Sequence, residues 1–410
     1  MYNNNLPVSG CLPAIVLACA GAPEGDLNVV RSLGEQGVPV IVVSEYADPP
    51  SRYSRHCIEF VQTPDFAGHP QELLAVLVEL SRRHGGRLPV FPSADPDLEV
   101  LNQIRDAALP HVRWTMAEPA LVAALMDKRA FSALAERCQL PTPRTFAPRT
   151  LDDVERIADE LTYPAIAKPS LPTSWKHPEL PREIRTAKAI VLQSREELLQ
   201  VCRAVLPWGL ALILQEYVPG DDSAHYDVHA CIDRQGVARA TFCGRKWRIH
   251  PPHVGSGCHV EALHEPALEA LVIDILQRLD YRGIANLNFK RHSVTGEFKL
   301  LEINARVSQW TILTTRAGVN LPWIVYREIC GLAQEAPPLR RTGLWYTSGK
   351  NDFRAVRSYV REGVWTWSGY LRSLLKRPMV FQVLSLRDLG PALYLSGHWI
   401  AEKMRLRSPS

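Results

Sequence analysis

The chain has no apolar run approaching the roughly 20 residues needed to cross a bilayer, which excludes a membrane-spanning helix. It has no CxxC pair either. Its nine cysteines (11, 19, 57, 138, 202, 231, 243, 258 and 330) are scattered and odd in number, which argues against zinc and disulfides and for reduced thiols in a cytoplasmic protein. Charge of one sign is also missing. Forty-seven Lys and Arg stand against forty-three Asp and Glu, net +4, so nothing calls for DNA or RNA as a partner, although the tail after Arg340 has a local basic excess. The apolar stretch 11–22 has no Lys or Arg in its leader and does not read as a signal peptide. It continues into GAPEGD, an amphipathic run over 27–36 and GVPVIVVS, a strand, loop, helix, strand pattern. The loop 21–26 sits where open α/β sheets take ligands but lacks a GxGxxG fingerprint; a turn with an N-cap at Asp26 reads it equally well.

What is present is enough apolar material, 46% of 410 residues, to build two or three domains without staples. Residues 1–115 read as a small α/β layer with strands near 13–19, 38–43, 57–61 and 88–91. The stretch FPSADPDLEVL puts Asp95 at the end of the fourth strand, either as a substrate contact or as a helix start. From Met126 the pattern changes: DKRAFSALAERCQ is helical, LPTPRTF ends it, and a helix over 151–161 leads to the strand YPAIAKPS. Lys168 ends that apolar strand just before a proline, a rigid place from which an ammonium can reach a phosphate. The segment 171–185 is rich in proline and charge and lacks periodicity, as lids do, and the following strand and helix carry Lys188 towards the same region.

The run LALILQEYV ends at PGDD. A strand closing in an exposed polar turn suits adenine recognition through backbone groups, with Glu216 or Asp222 available to ribose hydroxyls. HYDVHACID and VARATFCGRKWRIHPP read as paired strands around a turn at 233–236. Arg245, Lys246 and Arg248 then cluster at one strand end, either for an anionic ligand or as a solvated basic edge.

The most informative segment is 300–310, LLEINARVSQW. Its alternation sends Glu302, Asn304 and Arg306 to one face and Leu301, Ile303 and Ala305 to the other. A carboxylate, an amide oxygen and a guanidinium in line suit a magnesium ion and the phosphate it neutralises, because magnesium takes hard oxygen ligands and arginine is a forked donor. Upstream, GIANLNFKRH sets Asn286, Asn288 and Lys290 on one side, and a turn at 293–296 predicts a hairpin with Asn288 across from Glu302.

Taken in order, DKRAF, YPAIAKP, LILQEYVPGDD, ANLNFK and LLEINAR resemble the ATP-grasp superfamily over roughly residues 10–335, and GRKWRIHPPHVGSG and LWYTSGKNDFRAVRSYVREG are similar to its carboxylate-amine ligases. The resemblance implies an α/β and α+β architecture. It comprises an N-terminal pre-ATP-grasp domain (1–115), a linker and small lid subdomain (116–207), a central subdomain with the metal site (208–335) and a C-terminal accessory helical segment (336–410). It implies ATP and Mg2+, or Mn2+, as cofactors, small-molecule carboxylate and amine substrates, and a homodimer. By the same resemblance Lys128 and Lys168 belong to the phosphates, with Lys188 a further candidate from its position, Glu216, Tyr217 and Val218 to the adenine hinge and Asp222 to the ribose. Asn288, Glu302 and Asn304 would be metal ligands, and Arg306 would steady the transferred phosphate. Two departures stand out: Asn288 replaces an acid common in the family, and the proline-rich segment 171–185 occupies the place of a glycine-rich phosphate loop.

The implied reaction activates a carboxylate as an acyl phosphate, which an amine then attacks, with Lys168 spreading charge on the γ-phosphate and Arg306, with Arg245 or Arg248, stabilising the tetrahedral intermediate. Asn288 and the altered lid keep open a non-catalytic nucleotide-binding regulator. An ATP-dependent carboxylase is disfavoured by the lack of a biotin-carrier segment. In the tail, Trp345, Trp365, Trp367, Tyr370, Trp399 and RSLLKRP either pack as a helical layer or lie on an anionic membrane surface.

Overall fold

The computed structural model describes residues 11–19, 23–171, 174–334 and 340–405, of which 23–24 and 399–405 are described by their backbone alone. Parts of the loops 21–26 and 171–185, the start of the C-terminal segment and the side chain of Trp399 lie outside the described residues. No helix among the described residues is long and apolar enough to cross a membrane.

Three sheets organise the chain. In the first, β1 (Ala14–Ala18), β2 (Val40–Ser44), β3 (Cys57–Gln62), β4 (Leu88–Phe91) and β5 (Val112–Arg113) run parallel in the order β3-β2-β1-β4-β5. Every residue of β1 and β2 is buried, as expected of near-continuous aliphatic strands covered on both faces. The strand order reverses between β1 and β4, and the loop leaving β4 carries Asp95 to that crevice. Asp26, read as an N-cap, lies instead within the helix Pro23–Gly34 and is 1% exposed.

The second sheet is antiparallel: β6 (Thr145–Phe146), β7 (Ala165–Pro169), β8 (Ile190–Leu192) and β9 (Leu212–Glu216), ordered β6-β9-β7-β8. Helices Leu151–Glu160 and Arg195–Val205 bury Val154, Leu198 and Cys202 against it. The stretch read as a loose lid is anchored, since Trp175, Leu180 and Ile184 join the same core.

The third sheet has seven strands: β10 (His225–Ile232), β11 (Ala238–His250), β12 (Ser256–Leu263), β13 (Gly283–Arg291), β14 (Phe298–Asn304), β15 (Trp345–Thr347) and β16 (Met379–Phe381), ordered β14-β13-β10-β11-β12-β15-β16. One face packs Val228, Leu287 and Phe289 with the helix Pro266–Arg278; the other buries Phe242, Ile284 and Ala262 against Trp310 and Leu313 and carries a polar row at Asp227, Asn288 and Glu302. The C-terminal segment holds three helices, Lys350–Arg361, Trp367–Leu374 and Gly390–Arg405, and its short strands β15 and β16 extend this sheet. Runs of three residues, WYT and MVF, are too short for alternation to announce a strand. Its aromatics largely pack: Trp345 is buried, and Trp365 and Tyr370 stack on the Arg248 guanidinium. A buried ion pair, Arg31 to Asp388 at 2.9 Å, ties the segment to the first sheet's helix.

Candidate active site

The hairpin forms in the expected register. Asn288 pairs with Glu302 and Asn286 with Asn304, so the row Gly244, Asp227, Asn288, Glu302 runs across four strands on the polar face. A one-residue bulge lies between the Asn288 and Phe289 pairs and leaves Leu301 without a partner. That corrects the simple alternation: Leu301 lines a pocket together with Lys128, Phe131, Thr145, Lys168 and Gln215. Glu302 is exposed, and among the described residues its carboxylate accepts only a long contact of 3.4 Å from Asn304 Nδ2.

Lysines from three elements converge beside it. Lys168, on β7, donates to Gln215 Oε1 at 2.8 Å on the neighbouring β9. Burial lowers it to about 8, with Glu302 pulling upward and Lys128 and Lys290 pushing further down. Lys168 therefore lies within reach of the charges of Glu302, Lys128 and Lys290. Lys128 opens the helix Lys128–Arg137, where the capping carboxylate of Asp127 also accepts from Ser170 Oγ and pins the helix start to the end of β7. Lys290 lies over the Tyr217 ring, 4.5 Å from its centroid, which links the polar face to the segment Glu216–Val218. Glu216 holds Arg144 through both backbone and side chain, and Val218 is buried.

Asn288 departs from its expected role. Lys246 reaches across the face to place its ammonium 2.7 Å from Asn288 Oδ1 and 2.7 Å from Asp227 Oδ1. Since an ammonium only donates, the amide oxygen must face Lys246, and the Nδ2 group is left buried without a partner among the described residues. A divalent ion on that oxygen would sit about 4 Å from the ammonium, where two unit charges already repel by about 4 kcal/mol at an effective dielectric of 20 and a dication doubles it. Asn288 is not presented as a metal ligand. Burial raises Asp227 to about 6 despite the pull of Lys246, and burial with Lys246 lowers the nearby His229 to about 3.

Other expected residues are placed elsewhere. Arg245 pairs with Tyr226 on the opposite face, where its guanidinium donates to Ser223 O at 2.7 Å and stacks on Trp247. Arg248 has no exposed surface and forms a two-pronged pair with Asp352 at 2.6 and 2.8 Å, with Ser373 taking a further hydrogen bond. Neither cation faces Glu302; alternation and a bulge at Arg248 turn them away. The Asp222 carboxylate accepts from Tyr359 Oη and His253 N, so it joins the C-terminal segment to the central sheet rather than standing free. Lys188 is exposed, and its charge registers at His250 rather than at Lys168. Arg306 does reach the crevice and is gripped by Asp95 through Nε at 2.6 Å and Nη2 at 3.0 Å, so the first domain contributes directly. Of the cluster Arg245, Lys246 and Arg248 only Lys246 faces this site, and Lys290 lies on the face its parity with Asn288 predicts; Asp227 was not singled out in the sequence, and only the pairing of its strand with those of Asn288 and Gly244 brings it here.

Among the described residues no group of three or more His, Cys, Asp or Glu is arranged to hold a metal by itself. Glu302 with the Asn304 amide fits a hard cation whose remaining ligands come from phosphate oxygens and water, the usual arrangement for magnesium at a nucleotide.

Comparison with known proteins places this geometry. A family model described as an ATP-grasp in the biosynthetic pathway with Ter operon matches residues 211–351, which hold the polar face. D-aspartate ligase of Enterococcus faecium is 25% identical over 282 residues, 66% of each protein. The N-terminal section of the carbamoyl phosphate synthase large chain of Methanopyrus kandleri is 22% identical over 89% of this chain and 63% of its own length. This chain thus spans just under two thirds of either relative. Among solved structures, N5-carboxyaminoimidazole ribonucleotide synthetase of Thermus thermophilus superposes with a TM-score of 0.59 at 18% identity, covering 80% of this chain and 81% of that one. L-amino acid ligase of Bacillus licheniformis superposes at 0.57 and 15% identity, covering 80% and 77%. Residues 211–351 thus match an ATP-grasp family model, the chain has the fold of these synthetases and ligases, and its sequence is similar to that of D-aspartate ligase.

Proposed function

We propose that the protein is an ATP-dependent carboxylate-amine ligase of small molecules. The observation that carries this reading is the pocket lined by Lys128 and Lys168, with the exposed Glu302 carboxylate and Lys290 near enough for their charges to act on Lys168, and Arg306 paired with Asp95 beside Asn304. Lys128 and Lys168 bind the phosphates of ATP, and Glu216, Tyr217 and Val218 border the base. Glu302 and the Asn304 oxygen hold the divalent ion. When bound, that ion neutralises the charge spread over the β- and γ-phosphate oxygens.

A carboxylate oxygen of the acid attacks the γ-phosphorus, the bond from phosphorus to the bridging oxygen breaks, and ADP departs, leaving an acyl phosphate. The amine nitrogen then attacks the acyl carbon, phosphate leaves with the carbon–oxygen electron pair, and the nitrogen loses a proton. Arg306 stabilises the oxyanion of the tetrahedral intermediate, and its two hydrogen bonds to Asp95 fix the plane of its guanidinium. The names of D-aspartate ligase and L-amino acid ligase point to amino acids as the first compounds to try. The boundaries 116–207 for the lid subdomain and 208–335 for the central subdomain remain part of this reading.

ADP formation is measured against a library of acid and amine pairs with magnesium, using Glu302→Gln and Lys168→Ala as blanks. Release that requires both an acid and an amine, and that both variants abolish, is the expected result. ADP release with neither variant affected would remove the site assignment, and tight ATP binding with no release for any pair would leave the non-catalytic regulator.

A further inference from the structure

We propose that the Lys246 ammonium is a fixed internal cation of the phosphate-transfer site, standing where a second divalent ion would need an acid at position 288. The protein then binds its nucleotide with one metal ion, not two. This rests on the nucleotide-binding reading of the site.

The argument starts from strand register. Asp227, Asn288 and Glu302 occupy one row of the polar face, and Gly244, the β11 member of that row, has no side chain. A Cβ at Gly244 would stand 2.7 Å from the Trp310 ring, so the ring lies over that strand position. Lys246, two residues along on β11 and on the same face, sets its nitrogen 2.7 Å from both Asp227 Oδ1 and Asn288 Oδ1. Its side chain is 6% exposed.

Two features distinguish this arrangement from an ordinary internal salt bridge. The first is the reversed polarity of Asn288. With its oxygen committed to Lys246, it offers a buried N–H group that has no acceptor among the described residues. A phosphate oxygen satisfies both that N–H and the ammonium, whereas a metal ion satisfies neither. The second is the neighbouring carboxylate: Glu302, directly across from Asn288, is exposed and has no ion-pair partner among the described residues. One divalent ion at Glu302 and one ammonium at Asn288, the latter shared with Asp227, then face the triphosphate. The charge at Asn288 is covalently attached and cannot exchange with solvent ions.

Manganese is titrated into the full-length protein saturated with the non-hydrolysable β,γ-imido analogue of ATP, and bound ion is counted from the loss of the free-manganese electron paramagnetic resonance signal. One ion per chain is expected, and two would overturn the proposal while leaving nucleotide binding intact. Absence of any nucleotide binding would instead sink the reading beneath it. Lys246→Met is expected to weaken analogue binding about tenfold or more, the usual scale for a lost charge-assisted contact. Because that variant strands Asp227, the pair Lys246→Met with Asp227→Asn is measured as well. Recovery of wild-type affinity in the pair would make Lys246 a structural counter-ion and refute the proposal; persistent weakness at an unchanged unfolding midpoint supports it. Lys246→Met with Asn288→Glu is expected to take up a second manganese ion, and failure to do so in a folded protein that still binds one also counts against it.

Discussion

Lys246 and Arg248 sit two residues apart on β11, carry the same charge and are both buried, yet their surroundings differ in one respect. Arg248 is fully satisfied: both prongs meet Asp352, Ser373 takes a further hydrogen bond, and Trp365 and Tyr370 cover its faces. Lys246 is bound to neighbours that are themselves incomplete, with Asn288 Nδ2 unpartnered and an exposed carboxylate across the strand. Burial alone does not separate structure from chemistry here. Completeness of the polar network does, because a closed network resists rearrangement and an open one has capacity for a ligand.

Breaking the closed network should give the largest effect. Arg248→Met leaves Asp352 charged and sealed from water, which costs about 3–5 kcal/mol. The measurement is a denaturant unfolding midpoint, and Arg248→Met with Asp352→Asn is expected to recover most of the loss. The fraction that stays folded should bind nucleotide as the parent does. Lost nucleotide affinity in a folded Arg248→Met protein would mean that Arg248 belongs to the site after all.

Changes on the open side should do the reverse. Glu302→Gln removes an exposed carboxylate, so its unfolding midpoint should move by less than about 0.5 kcal/mol, while ADP formation falls by about a hundredfold or more. Lys168→Ala should weaken ATP binding by roughly 10- to 100-fold, read by calorimetry. A variant of either residue that unfolds readily but retains turnover would collapse the contrast with Arg248.

A smaller effect comes from pH. Lys168 is held at about 8, principally by burial, so its charge is present below that value and lost above it. ATP affinity is therefore expected to fall about tenfold between pH 7 and pH 9, the change in protonated fraction for such a group. Lys168→Arg, which stays charged, should flatten the profile. A profile equally steep in the Arg variant would assign the titration to another group.

Much of this was legible in the sequence because it depends on local period. The aliphatic runs of β1, β2 and β4, the hairpin turn at 293–296 and the facing of Asn288 and Glu302 all follow from alternation plus one glycine turn. What stayed hidden depends on contacts between distant segments. No spacing rule reveals that Asp352 lies against Arg248, that Tyr359 closes over Asp222, or that Asp95 holds Arg306 across 211 residues. The bulge that turns Leu301 into the pocket was also invisible, since inserting one residue leaves the pattern on either side unchanged. Asn288 was noticed as an odd residue, but its compensation by Lys246 needed the register of β10, β11 and β13 together.

The same contrast extends to the first domain, where it predicts a gain rather than a loss. Asp26 is buried and its Oδ2 accepts from Ser51 Oγ, while its Oδ1 has no hydrogen-bond partner among the described residues. Burial, opposed by Ser51 and Leu27 and reinforced by Asp97, raises it from 3.8 to about 7. With the folded value above the unfolded one, this group favours the folded state fully below about pH 4, and that contribution is lost as pH rises through 7. Asp26→Asn mimics the protonated acid and keeps an oxygen for Ser51. It should therefore leave the unfolding midpoint unchanged near pH 4 and raise it at pH 8 by on the order of 1 kcal/mol, a fraction of the roughly 4 kcal/mol that an unrelaxed site would give. A lowered midpoint at pH 8 would show that the ionised carboxylate has a partner, and Asp26 would then belong with the closed network around Arg248 rather than with the open one around Lys246.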